Sequence, residues 1–199
     1  MGNDSLLCFD EGQDISINEY RLIFDVNAQE TIFNIYGDTN QLIKSNVRGL
    51  ESWTPMINKL HSGYFDLNEN YRNTNQITRF CNEYFNQNNS CTGIDGEDVE
   101  YIKPVKLESL INDMDIEEKR IAVVYCDRNN DLYFDKSRLY PDKRALISDS
   151  VEAGKICVSN VENVKGIEFD IVFAVTKDMS INEKYVAFTR PLSKLYIVE

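Results

Sequence analysis

The reading of this chain turns on CFDEGQDIS, residues 8–16. Directly behind the apolar run Leu6 to Phe9, acidic or amide side chains crowd together at Asp10, Glu11, Gln13 and Asp14. A short continuous apolar run of this kind predicts a parallel strand buried on both faces. The acidic cluster at its end has two readings. It is a solvated turn, or it is where a nucleotide hydrolase holds magnesium with one carboxylate and polarises the attacking water with the next. The carboxyl ends of strands are where open α/β sheets bind ligands. These residues alone do not separate the two readings.

The elements that follow keep a strand–helix rhythm. Ile15 to Ala28 reads as a helix with Ile15, Tyr20, Ile23 and Phe24 facing inward. Thr31 to Tyr36 reads as a strand broken by Gly37-Asp38, and Leu50 to Leu60 as a helix that must take Pro55 in its first turn or kink there. Tyr64 to Leu67 opens a second series. A helix over Thr74 to Asn86 is expected, with Thr74 as N-cap and Ile77, Phe80, Tyr84 and Cys81 on its stripe. Strands are expected over Val99 to Pro104, Arg120 to Cys126, Ile156 to Val161, Phe169 to Val175 and Leu195 to Val198, with a short one over Arg144 to Ile147. Helices are expected over Leu107 to Met114 and Asn182 to Thr189. This βα alternation predicts an α/β fold with a parallel sheet, and the division between its two parts falls at residues 62 to 63.

Composition narrows the function classes. The 199 residues suffice for one large domain or two small ones. A net charge of −12, with acidic residues outnumbering Lys and Arg on both sides of the division, argues against a strongly basic nucleic-acid platform. The five cysteines are scattered and include no CxxC pair, which fits a reducing cytoplasm better than a zinc site or a disulfide framework. No apolar run approaches membrane length, so a cytoplasmic protein with no membrane partner is expected. His61 is the only histidine, which leaves no His-based metal cluster or charge relay within the chain.

Four further stretches bear on the opening question. IYGDTNQ (35–41) puts Gly37, Asp38 and Gln41 at the end of the second strand. LNENYRNTNQI (67–77) presents Arg72 ahead of a helix, and VENVKGIEFDIVF (161–173) places Lys165, Gly166 and Glu168 between two strands. KYVAFTRPLSKLYIV (184–198) ends a helix in Thr189-Arg190 before the last strand. Each taken singly is an ordinary polar loop. Arg72 could pair with Glu69 on the surface, and Arg190 could be a cation favoured by a helix carboxyl terminus.

Taken in order, the series resembles superfamily 1 helicases of the UvrD/Rep type. DEGQD looks like motif II, GDTNQ motif III, NYRN motif IV, VKGIEFD motif V and YVAFTR motif VI, across nearly the whole chain. The resemblance implies a RecA-like, P-loop NTPase type α/β architecture. A truncated first lobe (1–62) would precede a complete second lobe (63–199). It implies ATP and Mg2+ as cofactors. Asp10 would hold the metal and Glu11 would act as base. Gln41 would couple the γ-phosphate to movement of the lobes, and Arg72 and Arg190 would act as arginine fingers. Glu168 would bond the ribose, and Gly166 would permit close backbone approach.

Departures from the family pattern qualify this. The 199 residues contain no Gly-rich phosphate loop ending in Gly-Lys-Ser/Thr. Residues 42–47 carry no aromatic side chain to stack on bases, Trp53 reads as packing, and Glu162 stands where relatives often have His. No large insertion separates motifs IV and V, as in the compact HelD-like branch. The expected function is therefore the carboxyl-terminal part of an ATP-dependent helicase that cannot hydrolyse ATP alone. It would bind single-stranded DNA weakly, depend on a protein supplying the phosphate loop, and tend to self-associate. The alternative is a non-catalytic, helicase-derived interaction module that docks on a polymerase or a helicase partner.

Overall fold

A computed structural model describes residues 5–27, 31–43, 49–50, 52–60, 63–126 and 134–199. His61 and the stretch 44–48 lie outside the described residues. The chain forms two compact units, Met1–Asp66 and Leu67–Glu199, a few residues beyond the division expected from sequence.

In the first unit, β1 (Ser5–Phe9) and β2 (Thr31–Ile35) pair in parallel, with Ser5 opposite Thr31 and Phe9 opposite Ile35. They are connected through α1 (Ile17–Val26). The Ser-x-x-Glu spacing starts that helix as a capping box. The Ser16 hydroxyl accepts from the Glu19 N–H, and the Glu19 carboxylate accepts from the Ser16 N–H. α2 (Thr54–Leu60) takes Pro55 in its first turn, where the missing N–H costs nothing. Tyr20, Leu50 and Met56 are the buried centre, with Phe9, Ile15, Ile17, Phe24, Ile35 and Trp53 packed around them. Trp53 is thus a packing residue just ahead of the helix.

One expectation fails here. β1 is not buried on both faces: Leu6 is 59% exposed and Ile32, beside it on β2, 60%. Among the described residues this sheet has only two strands, and the apolar run that suits a covered parallel strand meets packing on one face alone.

In the second unit, two residues of β3 (Glu69–Asn70) pair in parallel with β4 (Ser90–Cys91), flanking α3 (Asn75–Phe85). Residues 64–67 form no strand. β5 (Glu100–Ile102), α4 (Leu107–Asp113), β6 (Arg120–Tyr125), α5 (Pro141–Ala145), β7 (Ile147–Ser148), β8 (Lys155–Asn160), β9 (Phe169–Val175), α6 (Ile181–Thr189) and β10 (Pro191–Val198) follow. Arg144, expected in a strand, lies in α5, which Pro141 initiates at a position that tolerates a missing N–H. The main sheet has six strands in the order β5-β10-β9-β6-β8-β7, all parallel.

Alternate side chains of those strands serve the two faces. Ile121, Val123, Ile171, Phe173, Val175, Tyr196 and Val198 pack with Leu107 and Ile111 of α4 and with Phe134 and Leu139. Ala122, Val124, Val172, Ala174, Leu195 and Ile197 are the buried alternates, on the side where α3 and α6 meet the sheet. Both faces are covered, which is why RIAVVY and FDIVFAV read as continuous apolar runs. No described helix is long and apolar enough to cross a membrane.

Candidate functional site

The site residues of the first unit sit on two loops at the carboxyl ends of β1 and β2. Asp10 is exposed, and its Oδ1 accepts from the Glu11 N–H at 2.9 Å. Glu11 adopts the left-handed conformation (φ 51°, ψ 37°), a region that favours glycine or asparagine and costs other residues free energy. That twist starts a single 3-10 turn over Gly12–Asp14. The Gly12 N–H donates to the Tyr36 carbonyl at 2.8 Å, and the Tyr20 hydroxyl donates to the Gly12 carbonyl at 2.8 Å. Burial pushes the Tyr20 hydroxyl pKa up to about 12.

Gln13, which the sequence reading passed over, is fully buried. Its Nε2 donates to Glu11 Oε2 at 2.5 Å, and its Oε1 accepts from the Asp38 N–H at 3.0 Å. Asp38 caps the short turn Thr39–Gln41 by accepting from the Asn40 N–H, and Gln41 Nε2 donates to Asp38 Oδ2 at 3.3 Å. The DEGQD and GDTNQ loops are therefore one hydrogen-bonded body. No group of three or more His, Cys, Asp or Glu residues among the described residues could cage a metal. A single exposed carboxylate fits magnesium, which keeps several waters and uses one or two carboxylates together with substrate phosphates. Asp10 has that character.

Arg72, Glu168 and Arg190 gather at the amino-terminal rim of the six-stranded sheet, where β9 and β10 begin, not at the carboxyl ends of its strands. Arg190 ends α6 where β10 begins, and its carbonyl accepts from the Phe169 N–H at 3.1 Å, next to Glu168. Arg72 Nε and Glu168 Oε1 form an ion pair at 2.7 Å, both side chains partly exposed. Glu69 is taken by the Tyr71 hydroxyl instead. The two residues expected to meet a γ-phosphate and a ribose thus meet each other.

Arg190 is 1% exposed and folds back on its own helix. Its Nε donates to the Val186 carbonyl at 3.3 Å and an Nη to Thr189 Oγ1 at 3.2 Å. These are the contacts of a cation at a helix carboxyl terminus. Gly166 has φ +75°, and a Cβ built there would meet nothing within 4 Å, so its requirement is conformational.

Two asparagines tie the Arg72 loop to this rim. Asn70 Oδ1 accepts from the N–H groups of Arg72 at 2.9 Å and Asn73 at 3.1 Å. Buried Asn73 donates its Nδ2 to the carbonyls of Pro191 at 2.6 Å and Thr189 at 3.3 Å. The NENYRN stretch carries only the local half of this clamp, the Asn70 turn; the reach of Asn73 to Thr189 and Pro191 has no signature in local sequence. Thr74 stands at the N-cap as expected but makes no capping bond with its side chain. At the same rim the Arg120 N–H and guanidinium donate to Asp170, at 2.7 and 3.3 Å for Oδ2. Burial alone would raise the Asp170 carboxyl pKa, but the hydrogen bonds from Arg120 hold it below the usual carboxylate range.

No family model matches the sequence, and no curated protein matches it. Solved structures do match. A PRRSV helicase aligns over 100% of this chain and 35% of its own, with a TM-score of 0.59 at 13% identity. An arterivirus nonstructural protein 10 (helicase) aligns over 96% of this chain and 38% of its own, with a TM-score of 0.53 at 15% identity. The same type of protein solved in complex with DNA aligns over 100% and 40%, with a TM-score of 0.51 at 14% identity. The chain spans well under half the length of these helicases. At such identities the likeness establishes the fold: an α/β chain whose all-parallel six-stranded sheet matches a RecA-like helicase lobe.

Proposed function

We propose that this chain is the carboxyl-terminal part of a UvrD-like ATP-dependent DNA helicase. Residues 1–62 would belong to a first lobe and 63–199 would form the second lobe. Asp10 would hold magnesium, and Glu11 would act as the base toward the attacking water. Gln41 would sense the γ-phosphate through the loop it shares with Asp38. Arg72 and Arg190 would neutralise charge developing on the transferring phosphoryl group, with Glu168 and Gly166 contacting the nucleotide. Bound ATP with magnesium would supply the phosphoanhydride bond whose cleavage drives translocation. The observation that carries this reading is the gathering of Arg72, Glu168 and Arg190, far apart in sequence, at one rim of a helicase-type sheet.

The test is phosphate release from ATP and magnesium. The 199-residue chain alone gives no turnover, because no Gly-Lys-Ser/Thr loop is present in it to position the triphosphate. A separately made fragment bearing such a loop restores hydrolysis, stimulated by single-stranded DNA, and Glu11→Gln or Arg72→Ala abolishes it. Steady turnover by these 199 residues alone that Glu11→Gln removes would overturn the requirement for an added phosphate loop.

The exposed Leu6, Leu22, Val26 and Ile32 of β1, β2 and α1 favour a second reading, that of a non-catalytic module docking on a polymerase or helicase partner. Under that reading a phosphate-loop fragment binds the first unit without creating turnover.

A further inference from the structure

Gln13 is the one fully buried amide of the first unit's described residues, and its two ends go to different loops. Burying a carboxamide is costly unless both ends are satisfied, and here both are. The donor end holds the carboxylate of Glu11, the proposed base, and the acceptor end holds the backbone N–H of Asp38, which opens the turn carrying Gln41. Resonance makes the carboxamide planar, so its donor and acceptor cannot move independently. Gly37 is fitted to it: a Cβ there would lie 2.2 Å from Gln13 Oε1. The backbone is pinned as well, since the Leu50 N–H donates to the Gln13 carbonyl at 2.7 Å.

We infer that Gln13 is a positioning residue that couples the Glu11 carboxylate to the Asp38–Gln41 turn, so that a change at the carboxylate is felt at Gln41 through one rigid amide. Ionised glutamate lacks the donor, and methionine has no donor and only a weakly accepting sulfur. The inference rests on the proposed roles of Glu11 and Gln41, and it adds a physical link between them.

The test uses the whole chain and amide NMR. Gln13→Met keeps the length and removes the carboxamide, and it accelerates hydrogen exchange at the Asp38 N–H by about fivefold to tenfold. Glu11→Gln in the native background shifts the Asp38 and Gln41 amide resonances. The same change in the Gln13→Met background leaves them in place. Equal shifts in both backgrounds, or unchanged exchange at Asp38 in Gln13→Met, would overturn the coupling. Should Gln13→Met not fold, Gly37→Ala displaces the same amide while leaving Gln13, Glu11 and Gln41 intact. It must uncouple Asp38 from Glu11→Gln in the same way, and wild-type coupling in Gly37→Ala overturns the inference.

In the hydrolysis assay with the phosphate-loop fragment, Gln13→Met lowers kcat at least about tenfold and leaves the KM for ATP within about twofold, the signature of lost positioning rather than lost binding. A fall in KM-governed binding alone overturns it. Absence of hydrolysis in the unsubstituted pair would defeat the helicase reading, and the NMR comparison would still decide the coupling.

Discussion

Replacing Tyr20 by Phe isolates one bond that holds the acidic turn in place. The ring stays, with its stacked contact to Phe24 and edge contact to Phe9. What goes is the hydroxyl donated to the Gly12 carbonyl at 2.8 Å. That carbonyl keeps the Ile15 N–H at 3.3 Å, so it is not orphaned, and the loss at neutral pH is about 1 kcal/mol. With a urea dependence of about 1 kcal/mol per molar for so small a unit, the midpoint falls by about 1 M. Trp53, the only tryptophan, packs in the same cluster and reports the transition by fluorescence.

The same hydroxyl sets an alkaline limb. Its pKa is raised from the ordinary 10 to about 12 in the folded state, so the unfolded chain ionises first. The associated stability is complete below pH 10 and drains away as pH climbs toward 12, at about 1.4 kcal/mol per unit. Tyr20→Phe removes that contribution, so its stability falls less steeply in this window, and the two proteins converge or cross above pH 10. Parallel alkaline limbs, or an unchanged neutral midpoint, would refute the account of the turn as held by this bond.

Asn73→Ala removes the clamp on the Thr189 and Pro191 carbonyls and destabilises the second unit by about 2 to 4 kcal/mol, measured by urea unfolding followed by far-UV circular dichroism. Asp170→Asn flattens the acid limb of stability, because a carboxyl held below its unfolded pKa contributes above about pH 4 and is lost as pH falls through its folded value. Differential scanning calorimetry between pH 2 and pH 6, as an approximate range, makes the comparison. Single-stranded DNA binds with a Kd weaker than about 10 µM at physiological salt, in fluorescence anisotropy, and weakens further as salt rises. Tight binding that resists salt would reveal a local basic groove that the net charge of −12 conceals.

The second unit's sheet was legible because both of its faces are covered. RIAVVY and FDIVFAV announce themselves as buried strands, and α6 begins at Ile181, one residue ahead of the expected start, on a capping box of Ser180 and Glu183. Leu6 to Phe9 has the same apolar character, but its surroundings differ, and no periodicity in the run records how many neighbours the strand has. Arg144 was misplaced because the helix it joins is five residues long and rests on Pro141 rather than on an apolar stripe. The candidate residues read as loop clusters in the sequence, yet the placement of Arg72, Glu168 and Arg190 at the amino rim depends on long-range bonds such as Asn73 to Pro191 that local sequence does not encode. Gln13 was missed for a related reason. A glutamine in an acidic stretch reads as solvated, and only the fold shows it sealed between two loops.

The left-handed backbone at Glu11 carries a warning for anyone who engineers this chain. A glutamate held at φ 51° costs about 1 kcal/mol or more relative to glycine, so the position works against stability. A library selected only for thermal robustness would drift there to glycine or asparagine, gaining a tougher fold and discarding the carboxylate. Position 11 belongs on the list of sites withheld from any such selection, and the enrichment of Gly at that site would itself measure how far robustness and chemistry pull apart in this turn.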